Sequence, residues 1–196
     1  MKSEEVDAVV IGSGFGGSLA AYRLASSGLR TLLLERGDRV LRDDLDWSPR
    51  EILVHGRYRS ESPLRVRQSG KSQYESMDQK EALGGMSVFY GGASLRLRPT
   101  DLTSWPITYE ELEPYYTQAE WEMGISGQRV DSPFVAPMSR EYPVPPVPMK
   151  SSGALFYTAA AKLGLSVVPG PLAIITQPHM GRLGCVNCGM CSGYGC

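Results

Sequence analysis

The feature that most constrains this chain is a glycine-rich turn, Gly12-Ser13-Gly14-Phe15-Gly16-Gly17, enclosed between two apolar runs. Residues 6–11 form the first run, and residues 30–35 form the second run, which closes on an acid. A helix-length segment rich in small residues lies between them and stops at Gly28. This order predicts strand, turn, helix and parallel strand. The fold class is therefore α/β, beginning with a Rossmann-like βαβ unit.

The positions of this turn have separate physical tasks in a dinucleotide site. Gly12 permits a tight turn, Gly14 lets a pyrophosphate approach the backbone, and Gly17 permits close packing of helix against sheet. Free N–H groups at the start of the helix then face the phosphates. Glu35 lies about twenty residues further on, where its carboxylate accepts ribose hydroxyls and repels a 2′-phosphate. The pattern predicts FAD or NAD and excludes NADP, and the alternative is a βαβ unit without a ligand.

The composition limits other functions. The 196 residues suit one ordinary domain, or one domain with a small addition. A net charge of -1 gives no reason to expect nucleic acid or an anionic membrane as a partner. No apolar run reaches the length of a membrane span, and the acidic start lacks the basic leader of a secretory signal. A cytoplasmic location is expected.

A second glycine-rich stretch covers residues 82–96. It contains Gly84-Gly85-Met86-Ser87 and, shortly after, Tyr90-Gly91. Backbone N–H groups that are free of bulky side chains can reach a flat or phosphorylated ligand. The alternative is a glycine-rich turn between core strands.

Helical and extended segments are expected in the second half of the chain. Thr108 and Glu111 have the spacing of a capping box that starts a helix within residues 105–124, and Pro114 is expected to restart this helix after one turn. A proline-rich extended strap, an alanine-rich helix and two short strands are predicted at residues 131–150, 153–163, 166–168 and 173–176.

Four cysteines lie together near the end of the sequence, at Cys185, Cys188, Cys191 and Cys196. Because no cysteine precedes them, they form a local cluster and not a disulfide framework. Their spacing is close to that of bacterial ferredoxins, with a last gap of four residues instead of three. Thiolates with two residues between them can bind one iron or zinc ion. An iron–sulfur cluster, a zinc knuckle and buried free thiols all remain open as interpretations.

Three stretches together resemble the glucose-methanol-choline (GMC) oxidoreductases, a family of flavoenzymes that oxidise alcohols and sugars. These are the glycine turn with Glu35, the Gly84-Gly85-Met86-Ser87 loop and the helix entry at residues 105–116. The cysteine run is similar to one found in a bacterial branch of the family. The resemblance therefore covers nearly the whole chain.

The resemblance implies a Rossmann-like FAD-binding fold that is incomplete at the C-terminus. Residues 1–100 are expected to be the N-terminal part of the FAD-binding domain, and residues 101–196 a helical, proline-rich extension ending in the cysteine cluster. FAD is expected to be non-covalent, because Phe89 stands where some relatives carry a histidine tethered to the flavin. The implied cofactor-binding residues are Gly12, Gly14, Phe15, Gly16, Gly17, Glu35, Gly84, Gly85, Met86, Ser87, Tyr90 and Gly91, and the candidate metal ligands are the four cysteines.

The implied activity is that of an FAD-dependent dehydrogenase acting on CH–OH groups of alcohols or sugars, with hydride transfer to FAD. The family carries a proton-accepting histidine near its C-terminus, whereas His55 and His179 lie outside a matching motif. The chain is therefore expected to be an N-terminal fragment, and no catalytic residue is assigned. A small alcohol or sugar is the expected substrate, and an electron acceptor or a C-terminal half on another chain is the expected partner. The alternative is a non-catalytic module that binds a dinucleotide or a metal.

Overall fold

The computed structural model describes residues 5–196, and the chain divides into two compact units. The first unit ends at Gly91 and also includes Gly189–Cys196, and the second unit is Gly92–Cys188. The domain boundary after residue 100, which the sequence suggests, stays a prediction.

The first unit begins with a βαβ element. Strand β1 (Ala8–Ile11) pairs in parallel with strand β2 (Thr31–Leu34), and helix α1 (Phe15–Ser26) connects them. The register places Ala8 opposite Thr31 and Ile11 opposite Leu34. The chain leaves α1 through Gly28, which has a φ of 90°. The Rossmann-like start that the sequence predicts is therefore confirmed.

The sheet formed by β1 and β2 is two-stranded within residues 5–196. Parallel sheets are usually covered on both faces, yet Ile11 is 85% exposed and α1 contains no buried residue. The βαβ element therefore presents apolar surface that the described residues do not cover.

The remainder of the first unit contains short elements. Strands β3 (Leu64–Val66) and β4 (Glu75–Met77) form an exposed antiparallel hairpin. A 3₁₀ turn spans Asp44–Trp47, and a single π-helical turn follows at Arg50–Val54.

The last residues of the chain run beside the second glycine-rich stretch. The N–H of Gly193 donates to the carbonyl of Phe89 at 2.6 Å, and the N–H of Cys196 donates to that of Val88 at 3.2 Å. These bonds place the chain end in the first unit.

The second unit contains helices α2 (Tyr109–Met123) and α3 (Ser151–Lys162), preceded by a 3₁₀ turn at Pro99–Leu102. Its packed centre consists of Leu102, Tyr109 and Ala136, with Leu112 and Tyr116 packed against it. None of the described helices has both the length and the apolar character needed to cross a bilayer.

The start of α2 is as the sequence predicts, but its interior is not. Thr108 Oγ1 accepts from the N–H of Glu111 at 3.3 Å, and the Glu111 carboxylate accepts from the N–H of Thr108 at 2.8 Å, so the capping box is confirmed. The expected restart at Pro114 is wrong, because α2 continues through it. Pro114 leaves the carbonyl of Glu110 without a helical donor, and Glu110 is exposed, so water can reach that carbonyl.

The strands expected at residues 166–168 and 173–176 are wrong. Leu172 forms isolated bridges with Ala93 and Ser126 instead of a ladder. Pro169 and Pro171 lie beside these segments and remove the backbone donors that a continuous strand needs.

Candidate functional site

Two glycines of the turn between β1 and α1 have separate structural reasons, a left-handed backbone at Gly12 and close packing at Gly17. Gly12 has a φ of 92°, and its N–H donates to the carbonyl of Leu34 at 2.7 Å, which ties the end of β1 to β2. A Cβ atom at Gly17 would lie 1.9 Å from the carbonyl oxygen of Gly12. Close approach of α1 to the turn therefore requires glycine at position 17.

The other glycines of the turn face open space. A Cβ atom at Gly16 would meet no atom within 4 Å, and one at Gly14 would meet only the carbonyl oxygen of Gly84, at 3.9 Å. The backbone here is consequently accessible to a ligand that approaches the start of α1.

The first three N–H groups of α1 have no acceptor among the described residues. The helix lacks a side-chain cap and has no acidic residue in its first turn. The N–H of Ser18 donates to Gly14 at 2.9 Å, whereas the preceding N–H groups of Phe15, Gly16 and Gly17 have no carbonyl acceptor within residues 5–196. Open donors together with the positive end of the helix dipole favour a phosphate or another anion.

The carboxylate of Glu35 is held by four donors. Oε2 accepts from the N–H of Ser13 at 2.8 Å and from its hydroxyl at 2.6 Å. Oε1 accepts from the N–H groups of Arg36 at 2.7 Å and Gly37 at 2.9 Å. The bonds from Gly37 and Ser13 lower the pKa of Glu35 to about 2, so this group is an anion at neutral pH.

Ser13 links this acid to the second glycine-rich stretch. Its hydroxyl oxygen also accepts from the N–H of Gly84 at 2.6 Å, and the residue is 3% exposed. Gly84 has a φ of 96° and leads into a 3₁₀ turn at Gly85–Val88. The structure thus brings the first turn, Glu35 and the second stretch together.

Ser13 is the site residue that sequence reasoning missed. It occupies a variable position of the glycine pattern, where neither spacing nor residue type indicates a role. Its partner Gly84 is 71 residues away in the sequence.

The remaining predicted residues of the second stretch lie around the same turn. A Cβ atom at Gly85 would be 3.9 Å from the Cα of Gly14. The hydroxyl of Ser87 donates to the carbonyl of Gly84 at 2.6 Å, and the half-exposed Met86 accepts through its sulfur from the N–H of Lys80 at 3.3 Å.

Two aromatic rings connect the stretches on another side. The ring centroids of Phe15 and Tyr90 are 5.1 Å apart in an edge-to-face arrangement, which is a favourable aromatic contact. Phe15 remains 44% exposed. Gly91 follows Tyr90 and lies near Ser192 of the chain end.

None of the four cysteines, all of which lie in the described part of the chain, forms a disulfide. Cys185 and Cys188 belong to the second unit, and Cys191 and Cys196 to the first. In the described part of the chain, no three or more His, Cys, Asp or Glu side chains are grouped so as to hold a metal ion. A metal centre on these cysteines therefore stays a prediction.

Both histidines have structural partners. His179 Nε2 lies 2.6 Å from the carbonyl oxygen of Trp121 near the end of α2, and His55 Nε2 accepts from Nε of Arg50 at 3.1 Å.

Comparison with known proteins agrees with a dinucleotide-binding fold at the glycine turn and Glu35. The family model described as an NAD(P)-binding Rossmann-like domain matches residues 10–41. The 6′′′-hydroxyparomomycin C oxidase of Streptomyces lividus is 32% identical over 97% of this chain and 36% of its own length. The paromamine 6′-oxidase of Streptomyces fradiae is 33% identical over 97% of this chain and 35% of its own length.

A dehydrogenase and a solved structure are also similar. The fructose dehydrogenase large subunit of Gluconobacter japonicus is 29% identical over 94% of this chain and 39% of its own length. The crystal structure of pyridoxine 4-oxidase from Mesorbium loti matches with a TM-score of 0.59 and 22% identity, over 87% of this chain and 37% of that one, which shows a shared fold. The chain spans between 35% and 39% of the length of these curated relatives.

Proposed function

Because this chain belongs to the glucose-methanol-choline oxidoreductases, we propose that it forms the dinucleotide-binding part of an FAD-dependent enzyme that oxidises a CH–OH group. The observation that carries the proposal is the anionic carboxylate of Glu35, fixed at the end of β2 and joined through Ser13 to the glycine turn. A fixed carboxylate beside an open helix start is the combination that binds a ribose and a pyrophosphate.

The residues present suit FAD. The open first turn of α1 would hold the pyrophosphate, Glu35 would hold the adenosine ribose, and the stretch from Gly84 to Ser87 would lie along the pyrophosphate and flavin. Phe89 is 2% exposed and offers no atom for a covalent bond to the flavin, which supports non-covalent binding.

Bound FAD would supply the hydride acceptor. The residues of this chain would bind and orient it, and no proton acceptor for the substrate is assigned among them. The fructose dehydrogenase large subunit among the relatives supports a sugar or another alcohol as the substrate class. We assign the proton acceptor and most substrate contacts to a polypeptide segment outside these 196 residues.

The uncovered face of β1 and β2 supports such a segment as a partner. Val9, Ile11 and Leu34 are 52%, 85% and 46% exposed, although strands of this kind are normally buried. A segment that adds neighbouring strands, whether in the same polypeptide or in another one, would cover them.

A titration with FAD tests the cofactor assignment. The purified chain is expected to quench flavin fluorescence on binding, and Glu35→Gln is expected to weaken FAD affinity about 10- to 100-fold because charge-assisted bonds to the ribose are lost. Glu75→Gln on the exposed β3–β4 hairpin is the matched control and is expected to bind like the wild type. Equal affinity of Glu35→Gln and wild type would contradict the assignment.

The cysteine run is proposed as an iron–sulfur site that passes electrons onward, which favours a dehydrogenase over an oxidase. The N–H of Asn187 donates to Sγ of Cys185 at 3.3 Å, and hydrogen bonds to sulfur are a usual feature of iron–sulfur sites. Left-handed backbone at Asn187, Gly189 and Gly193 lets the run curl.

Metal analysis after anaerobic purification decides between the interpretations of this run. The wild-type chain is expected to contain bound iron. The iron content is expected to fall in Cys188→Ser and to stay unchanged in the control Ser27→Ala. Zinc in place of iron would support a knuckle, and the absence of both metals would refute the electron-transfer assignment.

A further inference from the structure

The hydroxyl of Ser13 occupies a buried position between a group that only accepts hydrogen bonds and a group that only donates them. Glu35 Oε2 lies 2.6 Å from Ser13 Oγ on one side, and the N–H of Gly84 lies 2.6 Å away on the other. Ser13 is 3% exposed, which leaves little room for water to replace either partner.

These partners fix the direction of the hydroxyl. An ionised carboxylate has no proton to give, and a backbone N–H has no lone pair to offer. The single proton of Ser13 must therefore point at Glu35, which leaves an oxygen lone pair for Gly84. Bonds in such a chain polarise and strengthen one another.

The carboxylate has no spare acceptor position for a ribose. A carboxylate offers about four lone-pair positions, and Glu35 uses four for the donors of Ser13, Arg36 and Gly37. Three of these donors are backbone N–H groups that cannot move without moving the chain. The hydroxyl of Ser13 is the donor that can rotate away.

We infer that Ser13 is a positioning residue that couples Glu35 to the second glycine-rich stretch, so that a ribose hydroxyl arriving at Glu35 changes the hydrogen bond that holds Gly84. The inference rests on the proposed function for the identity of the ligand. The link itself, from Glu35 through Ser13 to Gly84, is a property of the chain without ligand and can be tested without it.

Hydrogen exchange at the Gly84 amide tests the link. The full chain is compared with Glu35→Gln, Ser13→Ala and the double variant. Although Glu35 does not touch Gly84, Glu35→Gln is expected to speed exchange at Gly84 about five- to tenfold, because the hydroxyl of Ser13 loses its fixed direction. In the Ser13→Ala background the same change at Glu35 is expected to have no further effect.

Controls separate this link from a general loss of stability. The amide of Gly85, which donates to Ala82 at 2.7 Å, serves as an internal reference and is expected to keep its rate. Ser27→Ala removes a serine hydroxyl bonded to Leu24 at the far end of α1 and is expected to leave Gly84 unchanged. Ser13→Thr keeps the hydroxyl, so the Gly84 amide is expected to exchange about as slowly as in the wild type and more slowly than in Ser13→Ala.

An unchanged Gly84 rate in Glu35→Gln, or additive effects in the double variant, would overturn the inference. If Ser13→Ala does not fold, the Gly84 exchange rates of Glu35→Gln and Ser13→Thr still test the inference. FAD titration of the same variants is a separate measurement. Failure of the wild type to bind FAD would refute the proposed function, whereas the exchange rates would still show whether Ser13 couples the two stretches.

Discussion

Arg96 donates two parallel hydrogen bonds to Glu120, from Nε to Oε1 at 2.7 Å and from Nη2 to Oε2 at 2.6 Å. Both side chains are almost fully buried, with exposed fractions of 3% and 6%. Arg96 also donates to Glu113 at 2.9 Å and to the hydroxyl of Tyr109 at 3.2 Å. Although burial lowers the pKa of Arg96, its bonds to Glu120, Tyr109 and Glu113 outweigh that effect and raise it.

Replacement of this arginine is expected to destabilise the second unit strongly. Arg96→Met leaves two carboxylates without their cation, and an unpaired buried charge costs about 3–5 kcal/mol. Urea unfolding of Arg98→Met provides the matched control, because the Arg98–Asp101 pair is exposed and such pairs contribute about 0–1 kcal/mol. Similar unfolding midpoints for the two variants would contradict a structural role for Arg96.

Alanine substitutions at the neighbouring Gly17 and Gly16 are expected to affect stability differently, since the first is destabilising and the second is not. Gly17→Ala would place Cβ 1.9 Å from the carbonyl oxygen of Gly12, and forcing α1 away from the turn is expected to cost about 2 kcal/mol or more. Gly16→Ala meets no atom within 4 Å and is expected to be neutral or slightly stabilising, because alanine favours helix. Thermal unfolding of both variants measures the contrast, and equal melting temperatures would refute the close packing.

The stabilising effect of Glu35 is expected to depend on pH in a defined direction. Its pKa is about 2 in the folded chain against an ordinary value of 4.5, chiefly because of bonds from Gly37 and Ser13. A lowered pKa stabilises the folded state fully above about pH 4.5, and this contribution is lost as pH falls through about 2. The stability difference between wild type and Glu35→Gln should therefore shrink during acidification.

Urea unfolding at a series of pH values measures this difference. Glu75→Gln is the control, because its carboxylate pairs with Lys71 on the exposed hairpin. A difference between wild type and Glu35→Gln that grows on acidification would contradict the assigned bonds.

Removal of Arg182 is expected to loosen the end of α2. Its Nη1 and Nη2 donate to the carbonyls of Met123 and Glu122, the last two residues of α2, at 3.1 and 2.7 Å. Side-chain donors commonly bind the carbonyls at a helix end in this way. Arg182→Ala is expected to cost about 1 kcal/mol, through lost hydrogen bonds and lost interaction with the helix dipole. Chemical unfolding is compared with that of Arg129→Ala, an exposed arginine expected to have little effect. Equal stability of the two variants would argue against this cap.

The sequence predicts the features that depend on neighbouring residues. The glycine turn with its flanking strands and the capping box at Thr108 follow local rules of backbone geometry and hydrogen bonding. The same rules misjudge Pro114, because they do not show that water can satisfy the carbonyl it leaves open. They also misjudge residues 166–176, where short apolar, β-branched runs suggest strands but prolines interrupt the pairing.

By itself, the sequence determined the βαβ start, the identity of the acid that closes β2 and the family resemblance, since each is encoded over a short span with a characteristic spacing. Only the tertiary structure decided that Ser13 joins Glu35 to Gly84, and that Arg96 neutralises Glu113 and Glu120. Their partners are separated by between 17 and 71 residues. No local periodicity encodes such pairs, because they depend on how the folded backbone brings distant donors and acceptors within hydrogen-bonding distance.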